Sequence, residues 1–326
     1  MAIEIGSVNA DTSVKLGTTT IQSGYIGYNN FYGTEFKILD LFPSPHHSYS
    51  LRKLRTAYTG FCLRIRRTTT TPTVTTTTVD LSFDFNGTIS LNSAITYVSG
   101  TVTTSTNLGQ FCASVVNGYS NPDGVNTNQN IFVVTWFDQS GNGKNATNAT
   151  AGQQPRLVNT GNLELSGGKV SIRFTSVNSQ RLFLTDTTAN INNMSSYFVG
   201  AYVTATGIGY SLGTVNRFYL PNTTGGNTYA GYGGVAAAML LEATTTNRRL
   251  YELIAPTTGS TTLAQGWLNG IPKATIALVN GAIANIVLGA AATTYYDGYI
   301  QEVIGWQTNA NRVEKEININ NYWQIY

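Results

Sequence analysis

The sequence predicts an all-β protein: a two-sheet antiparallel sandwich with a few short helices and a small N-terminal β segment. Two observations carry that prediction. From Ile131 onward, about ten short apolar stretches succeed one another between Gly, Asn and Thr turns, with no long amphipathic helix among them. Such a series closes into a sandwich or barrel, not a parallel α/β sheet. Charged residues make up only 11% of the 326 residues, against about 25% in an average soluble domain. Thr, Asn, Ser and Gly fill the deficit, so the surface is solvated by hydroxyls and amides, as in secreted and virion β proteins. Apolar residues at 41% supply a substantial core, and a net charge of +3 is too small to imply a nucleic-acid partner.

The elements follow in order. Residues 1–42 read as a small β segment of their own, and residues 43–326 as the sandwich. In the first segment Ile21, Tyr25, Ile26, Tyr28, Phe31 and Tyr32 recur between glycines, as in a meander of short strands. Ser44-Pro45 reads as a helix start, with Leu51, Leu54 and Tyr58 at helical spacing and Gly60 as its end. Cys62–Arg66 alternates as a strand. The Thr tract 68–78 favours extended chain, but Pro72 restricts it to an exposed edge strand or loop. Residues 92–98 suggest a short helix, and Asn121-Pro122-Asp123-Gly124 a turn. Strands are expected at 131–136, 169–174, 181–184, 196–203, 217–220, 249–254, 263–268, 273–279, 284–288 and 298–306. A closing helix is expected at 312–322, with Val313 and Ile317 on one face. Cys62 and Cys112 read as two buried free thiols, the alternative being a single disulfide. The N-terminus has no signal-peptide pattern, and no apolar run reaches the roughly 18 residues of a membrane span. Neither a membrane nor a nucleic-acid partner is expected.

Three blocks carry a resemblance. His47-Ser48-Tyr49-Ser50-Leu51-Arg52, running on to Arg64-Ile65-Arg66-Arg67, is the first. Trp136-Phe137-Asp138-Gln139-Ser140-Gly141-Asn142-Gly143, followed by Gln154-Pro155-Arg156, is the second. Together they resemble tail-fibre, head-fibre or adhesin-like structural proteins of tailed bacteriophages, and distantly the catalytic domain of fungal α-L-arabinofuranosidases. The third block is Gly266-Trp267-Leu268-Asn269-Gly270 with Asp297-Gly298-Tyr299-Ile300-Gln301-Glu302. It resembles the closing strands of laminin-G-like (concanavalin-like) domains. The Thr tract and the stretch 101–130, which reads as an insertion, depart from that pattern. The resemblance implies a virion surface protein assembled in a bacterial cytoplasm, non-enzymatic, homo-oligomeric and by analogy with phage fibres trimeric, docked or oligomerised through residues 1–42 and contacting other virion proteins and a host-surface polysaccharide.

The residues offer limited chemistry. Asp138 can accept N–H bonds from the turn it opens, and Gly141 and Gly143 permit positive φ. With Asn142 and Asn145 the loop reads as structural, the alternative being a ligand-facing or metal-binding loop. No metal or other cofactor is expected. A glycosidase needs two carboxyl groups facing one sugar, about 5–5.5 Å apart if retaining. The resemblance puts such residues mid-sandwich, yet residues 194–235 contain no Asp or Glu; Asp186 and Glu242 lie outside. His46-His47, beside Pro45, reads as a plain surface pair. Tyr rings stack on sugars and Asn amides bond their hydroxyls. Asn222, Asn227, Tyr229 and Tyr232 in a Gly-rich stretch, with Tyr295 and Tyr296 in a second loop, are therefore the glycan-binding candidates. No catalytic residue is assigned. The expected function is a glycan-contacting phage surface protein; the alternatives are an arabinofuranosidase-type hydrolase and a structural head or tail component without ligand.

Overall fold

A computed structural model gives the fold. It describes residues 37–69, 74–113, 115–116, 118–125, 127–186, 193–212, 218–224, 226–232, 238–255, 263–276, 285–291 and 293–326. In the N-terminal segment it describes 14–16, 19–21, 25–26 and 29–30. The protein is all-β: among the described residues, 22 strands join one hydrogen-bonded network that is nearly closed like a barrel. The α-helices there are short, Ile38–Leu41, Leu108–Cys112 and Arg312–Trp323. In the N-terminal segment, Val14–Leu16 pairs with Thr19–Ile21 and Tyr25–Ile26 with Asn29–Asn30. Tyr28, Phe31 and Tyr32 lie outside the described residues.

One stretch of the network is built on Ser195–Tyr202, which pairs with Arg249–Ile254 on one side and Gly298–Trp306 on the other. Gly298–Trp306 also carries His47–Ser50 and Ile172–Phe174. A second stretch runs from Leu182–Thr185 through Asn285–Leu288, Gly207–Leu212, Phe218–Thr224 and Asn227–Tyr232 to Ala238–Ala243. A third joins Ile131–Trp136, Leu63–Thr69, Thr75–Leu81 and Ile95–Gly100.

Ser195–Tyr202 is buried at every position. A strand buried on both faces reads as a continuous run, not an alternation. Phe198 faces inward toward Tyr296 and Tyr251. Tyr197 faces outward, where its ring meets Trp306 edge-on beneath the C-terminal helix. That helix buries Lys315, Glu316, Ile319 and Trp323, while Val313 is exposed. The expected Val313/Ile317 face is thus corrected: the sheet below carries Glu252, and the helix turns Arg312 toward that carboxylate at 2.9 Å.

Three local expectations fail for one reason, that tertiary contacts override local preference. The helix expected after Ser44-Pro45 is absent. Ser44 has φ +60°, and His47–Ser50 is a strand with Tyr49 opposite Val303. The Thr tract is no edge strand: Thr75–Leu81 is paired on both sides, while Pro72 lies outside the described residues. Ile95–Gly100 is a strand where a helix was expected. Gly207–Leu212, Asn227–Tyr232, Ala238–Ala243 and Arg156–Asn159 are among the strands not anticipated. Cys62 and Cys112 are free and buried. Ile38 and Leu39 belong to the core, so the packed body begins before residue 43.

Candidate functional site

The Asp138–Gly143 loop is a clamp. Asp138 accepts from the Ser48 N–H at 2.8 Å, the Ser140 N–H at 3.0 Å and the Lys144 N–H at 3.1 Å, and also from the Ser140 hydroxyl. Gln139 accepts from Leu54 N–H at 2.8 Å and donates to the carbonyls of Ser50 and Arg52, both at 3.0 Å. Asn142 donates to the carbonyls of Pro45 and His46. Asn145 accepts from the Asp138 N–H at 2.9 Å. Gly141 and Gly143, at φ +91° and +69°, allow the tight return. Two sequence blocks 90 residues apart are therefore one structural unit. The side chains of one satisfy the backbone of the other. With its oxygens so engaged, Asp138 serves the structural role. Among the described residues, no group of three His, Cys, Asp or Glu side chains is placed to hold a metal ion.

Beneath this clamp the two histidines are buried, which overturns their expected surface location: His47 is 0% exposed. A strand places them on opposite faces, and Gly305 makes room for His47, since a Cβ there would lie 2.5 Å from the ring. His46 Nδ1 and His47 Nδ1 are 2.9 Å apart, and His47 Nε2 is 2.6 Å from the Tyr210 hydroxyl. His46 Nε2 lies 3.2 Å from Asp186, which also takes the Lys144 ammonium at 2.5 Å. One proton arrangement gives every acceptor a donor. Tyr210 donates to His47, His47 Nδ1–H to His46, and His46 Nε2–H faces Asp186, with both rings neutral. Burial and the nearby Lys144 charge push His46 down to about 4 against the pull of Asp186 and Asp138. Burial drives His47 well below its usual value. The strand His47–Ser50, read as alternating, would have put His47 and Tyr49 on one inward face; the Ser-Pro helix signal concealed that.

The glycan candidates divide. The Gly-rich stretch is not a loop but a hairpin, in which Asn222 stands opposite Tyr229 and Tyr229 opposite Leu240. Asn222 also stands opposite Ile208, which bridges to Tyr295. These pairings line Tyr295, Ile208, Asn222, Tyr229 and Leu240 in one row across five strands. Tyr295, Asn222 and Tyr229 are half-buried and Leu240 is exposed. Arg181 bonds the Tyr295 hydroxyl at 3.1 Å and stacks over its ring. Asn227 lies at the hairpin turn, opposite Thr224. Tyr296 is corrected: it is fully buried against Tyr202 and Phe198 and has no face for a sugar. Tyr232 ends its strand opposite Phe218.

Many of the described carboxylates are engaged by cations. Glu302 takes the Arg52 guanidinium in a fork, at 2.8 and 3.0 Å, with the Ser50 hydroxyl at 2.6 Å. Asp80 holds Arg64, Asp123 holds Arg67, Glu164 holds Arg156, and Asp297 holds Arg173. Glu242 takes Arg249 at 3.1 Å and the Tyr251 hydroxyl at 3.0 Å. Glu252 and Glu316 share Arg312, whose guanidinium lies 3.6 Å above the Trp267 ring. Burial raises Glu252 to about 8, against the pull of Arg312.

No protein-family model matches the chain, and no curated protein matches it by sequence. Several solved structures are similar to the chain. A GH54 α-L-arabinofuranosidase soaked with a cyclic sulfate inhibitor superposes with a TM-score of 0.51 at 14% identity, over 88% of this chain and 63% of that one. The chain thus spans less than two thirds of that enzyme's length. Trypanosoma rangeli sialidase in complex with the inhibitor DANA gives a TM-score of 0.41 at 10% identity, over 74% of this chain and 42% of that one. Domain 4 of a Geobacillus stearothermophilus GH43 arabinanase, in complex with arabinotriose, gives 0.36 at 15%, over 60% and 90%. The expected distant likeness to arabinofuranosidases holds at the level of the fold.

Proposed function

We propose that the chain is a non-catalytic, glycan-contacting surface protein of a tailed-bacteriophage particle, a homotrimer whose residues 1–42 dock or oligomerise it and whose remainder is a concanavalin-like sandwich. The carrying observation is the state of the carboxylates. Asp186, Glu242, Glu252, Asp297 and Glu302 each hold an Arg or Lys. A glycosidase requires one carboxyl group kept protonated as acid and a second free to act as base or nucleophile; Glu252, raised to about 8, meets the first requirement, but Glu316 beside it is held by Arg312 and is not free for the second. The sandwich reading is supported by Tyr210 and His47, which meet across the interior from strands that do not pair with each other. The virion assignment rests on the two clamped sequence blocks. The row from Tyr295 to Leu240 supplies ring faces and an amide for a sugar chain.

A glycoside hydrolase is the second reading, favoured by the arabinofuranosidase-like fold. Incubation with aryl α-L-arabinofuranosides and with plant and bacterial polysaccharides separates the two. The expected result is no release of aryl alcohol or reducing sugar above buffer. Turnover abolished by Glu242→Gln or Asp297→Asn would establish the hydrolase.

A further inference from the structure

The Thr tract and the stretch 101–130 find no use in the reading above, yet they fold together around a cleft of about 310 Å³. One wall is the hairpin of Leu63–Thr69 and Thr75–Leu81, where Arg67 stands opposite Thr77 and Thr69 opposite Thr75. The other wall is Val102, Thr104 and the turn at Pro122–Gly124. Asp123 ties the walls together. It accepts from Arg67 at 2.7 Å, from the Thr104 N–H at 2.6 Å, from the Thr104 hydroxyl at 2.8 Å and from the Ser105 hydroxyl at 3.0 Å, and also from the Thr103 hydroxyl. Those bonds hold its carboxyl well below the usual range although burial opposes them.

We propose that this cleft binds a neutral saccharide, a glycan site separate from the Tyr295–Leu240 row; the inference rests on the glycan-contacting reading above. Three features select the ligand class. The Arg67–Asp123 pair cancels its own charge, so the cleft lining carries no net charge to select an ion. The walls carry hydroxyls with capacity to spare. Thr69 and Thr75 bond each other at 2.6 Å, so one of the two retains a free O–H, and Thr77 donates to the Thr101 carbonyl at 3.0 Å and keeps its lone pairs. Their methyl groups, with Val102 at 71% exposure, present apolar surface to the C–H face of a sugar ring. Arg67 fixes one wall: it is 3% exposed, stacks over Phe111 at 4.4 Å and donates to the Phe111 carbonyl at 2.9 Å, so the hydroxyl-lined surface beside it is held in place. The volume suits one or two sugar rings, at the small end of ligand sites.

Saturation-transfer NMR on the full chain tests this, with neutral gluco-, galacto-, manno- and arabino-oligosaccharides and matching uronates as probes. A neutral oligosaccharide should bind, and its uronate should bind no better. Val102→Asp and Thr75→Val should each weaken binding at least tenfold, while Phe85→Ala, at a 93% exposed position that lines neither site, stays within twofold. Val102 and Thr75 are not core residues, and an unchanged thermal midpoint verifies folding of each variant. Binding that survives both cleft variants but is lost with Tyr229→Ala overturns the cleft and leaves the glycan reading standing. Binding of uronates alone overturns the neutral-ligand assignment. No binding by the wild-type chain to any probe overturns both readings.

Discussion

Asp138 shows how much one side chain can organise. Its carboxylate accepts from three backbone N–H groups and two hydroxyls, and the residue is 5% exposed. Hydrogen bonds to a charged acceptor contribute about 1.5–3 kcal/mol each, and a buried N–H left without its acceptor costs about 1–3 kcal/mol. Asp138→Ala strips that acceptor from the Ser48 and Ser140 N–H groups together. The expected loss is roughly 3–4 kcal/mol in urea unfolding. Asp40 provides the contrast, an exposed carboxylate that also accepts from a backbone N–H and a hydroxyl, those of Thr56. Water replaces those bonds, so Asp40→Ala should cost under about 1 kcal/mol. Equal losses for the two variants would show that the clamp is not the source of the stability.

At the scale of elements, the buried histidines couple strand His47–Ser50 to strand Gly207–Leu212 and to the Asp186 end of a third strand. In the folded protein His46 is lowered to about 4 and His47 lies well below its usual range; unfolded, each titrates near 6.5. The unfolded chain therefore binds more protons in the interval between. The stability held above about pH 6.5 is lost as pH falls toward 4. His46 alone should contribute about 3 kcal/mol across that window, and His47 adds to it. Thermal midpoints from pH 7 to pH 4 should fall steeply in the wild type and less in His46→Asn/His47→Asn. A double variant with the wild-type slope would place the pH dependence elsewhere. The legibility of elements follows the same division. Ile131–Trp136, Arg249–Ile254 and Gly298–Trp306 were readable to the residue because each is a cluster of apolar, aromatic and β-branched residues set off by Gly, Asn or Thr turns. Gly207–Leu212 and Asn227–Tyr232 were not, since Gly and Asn give no such pattern and only pairing with neighbours orders them.

For the whole molecule, the proposed trimer turns on the N-terminal segment, where Ile21, Tyr25 and Ile26 lie in short two-stranded pairings. Such pairs bury too little to stand alone. The cut that tests them must respect the core: Ile38 and Leu39 are buried, and Leu39 N–H bonds the Leu54 carbonyl at 2.8 Å. Removing residues 1–36, not 1–42, should convert a trimer into a folded monomer by light scattering. A trimer that persists would locate its contacts in the body, and a monomeric full-length chain would end the proposal.

The sequence by itself determined the all-β class, the closing helix and the two blocks that meet at the clamp, because strand patterning and turn chemistry are local. The tertiary structure alone decided that His46 and His47 are interior, that Thr75–Leu81 is central, that Tyr296 is core, and that Arg67 and Asp123 meet across a cleft. Each depends on a partner far along the chain: Asp186 for His46, Tyr210 for His47, Ile95–Gly100 for the Thr tract, Tyr202 for Tyr296. Side-chain burial is set by what packs from outside the segment, and local preference carries no record of it.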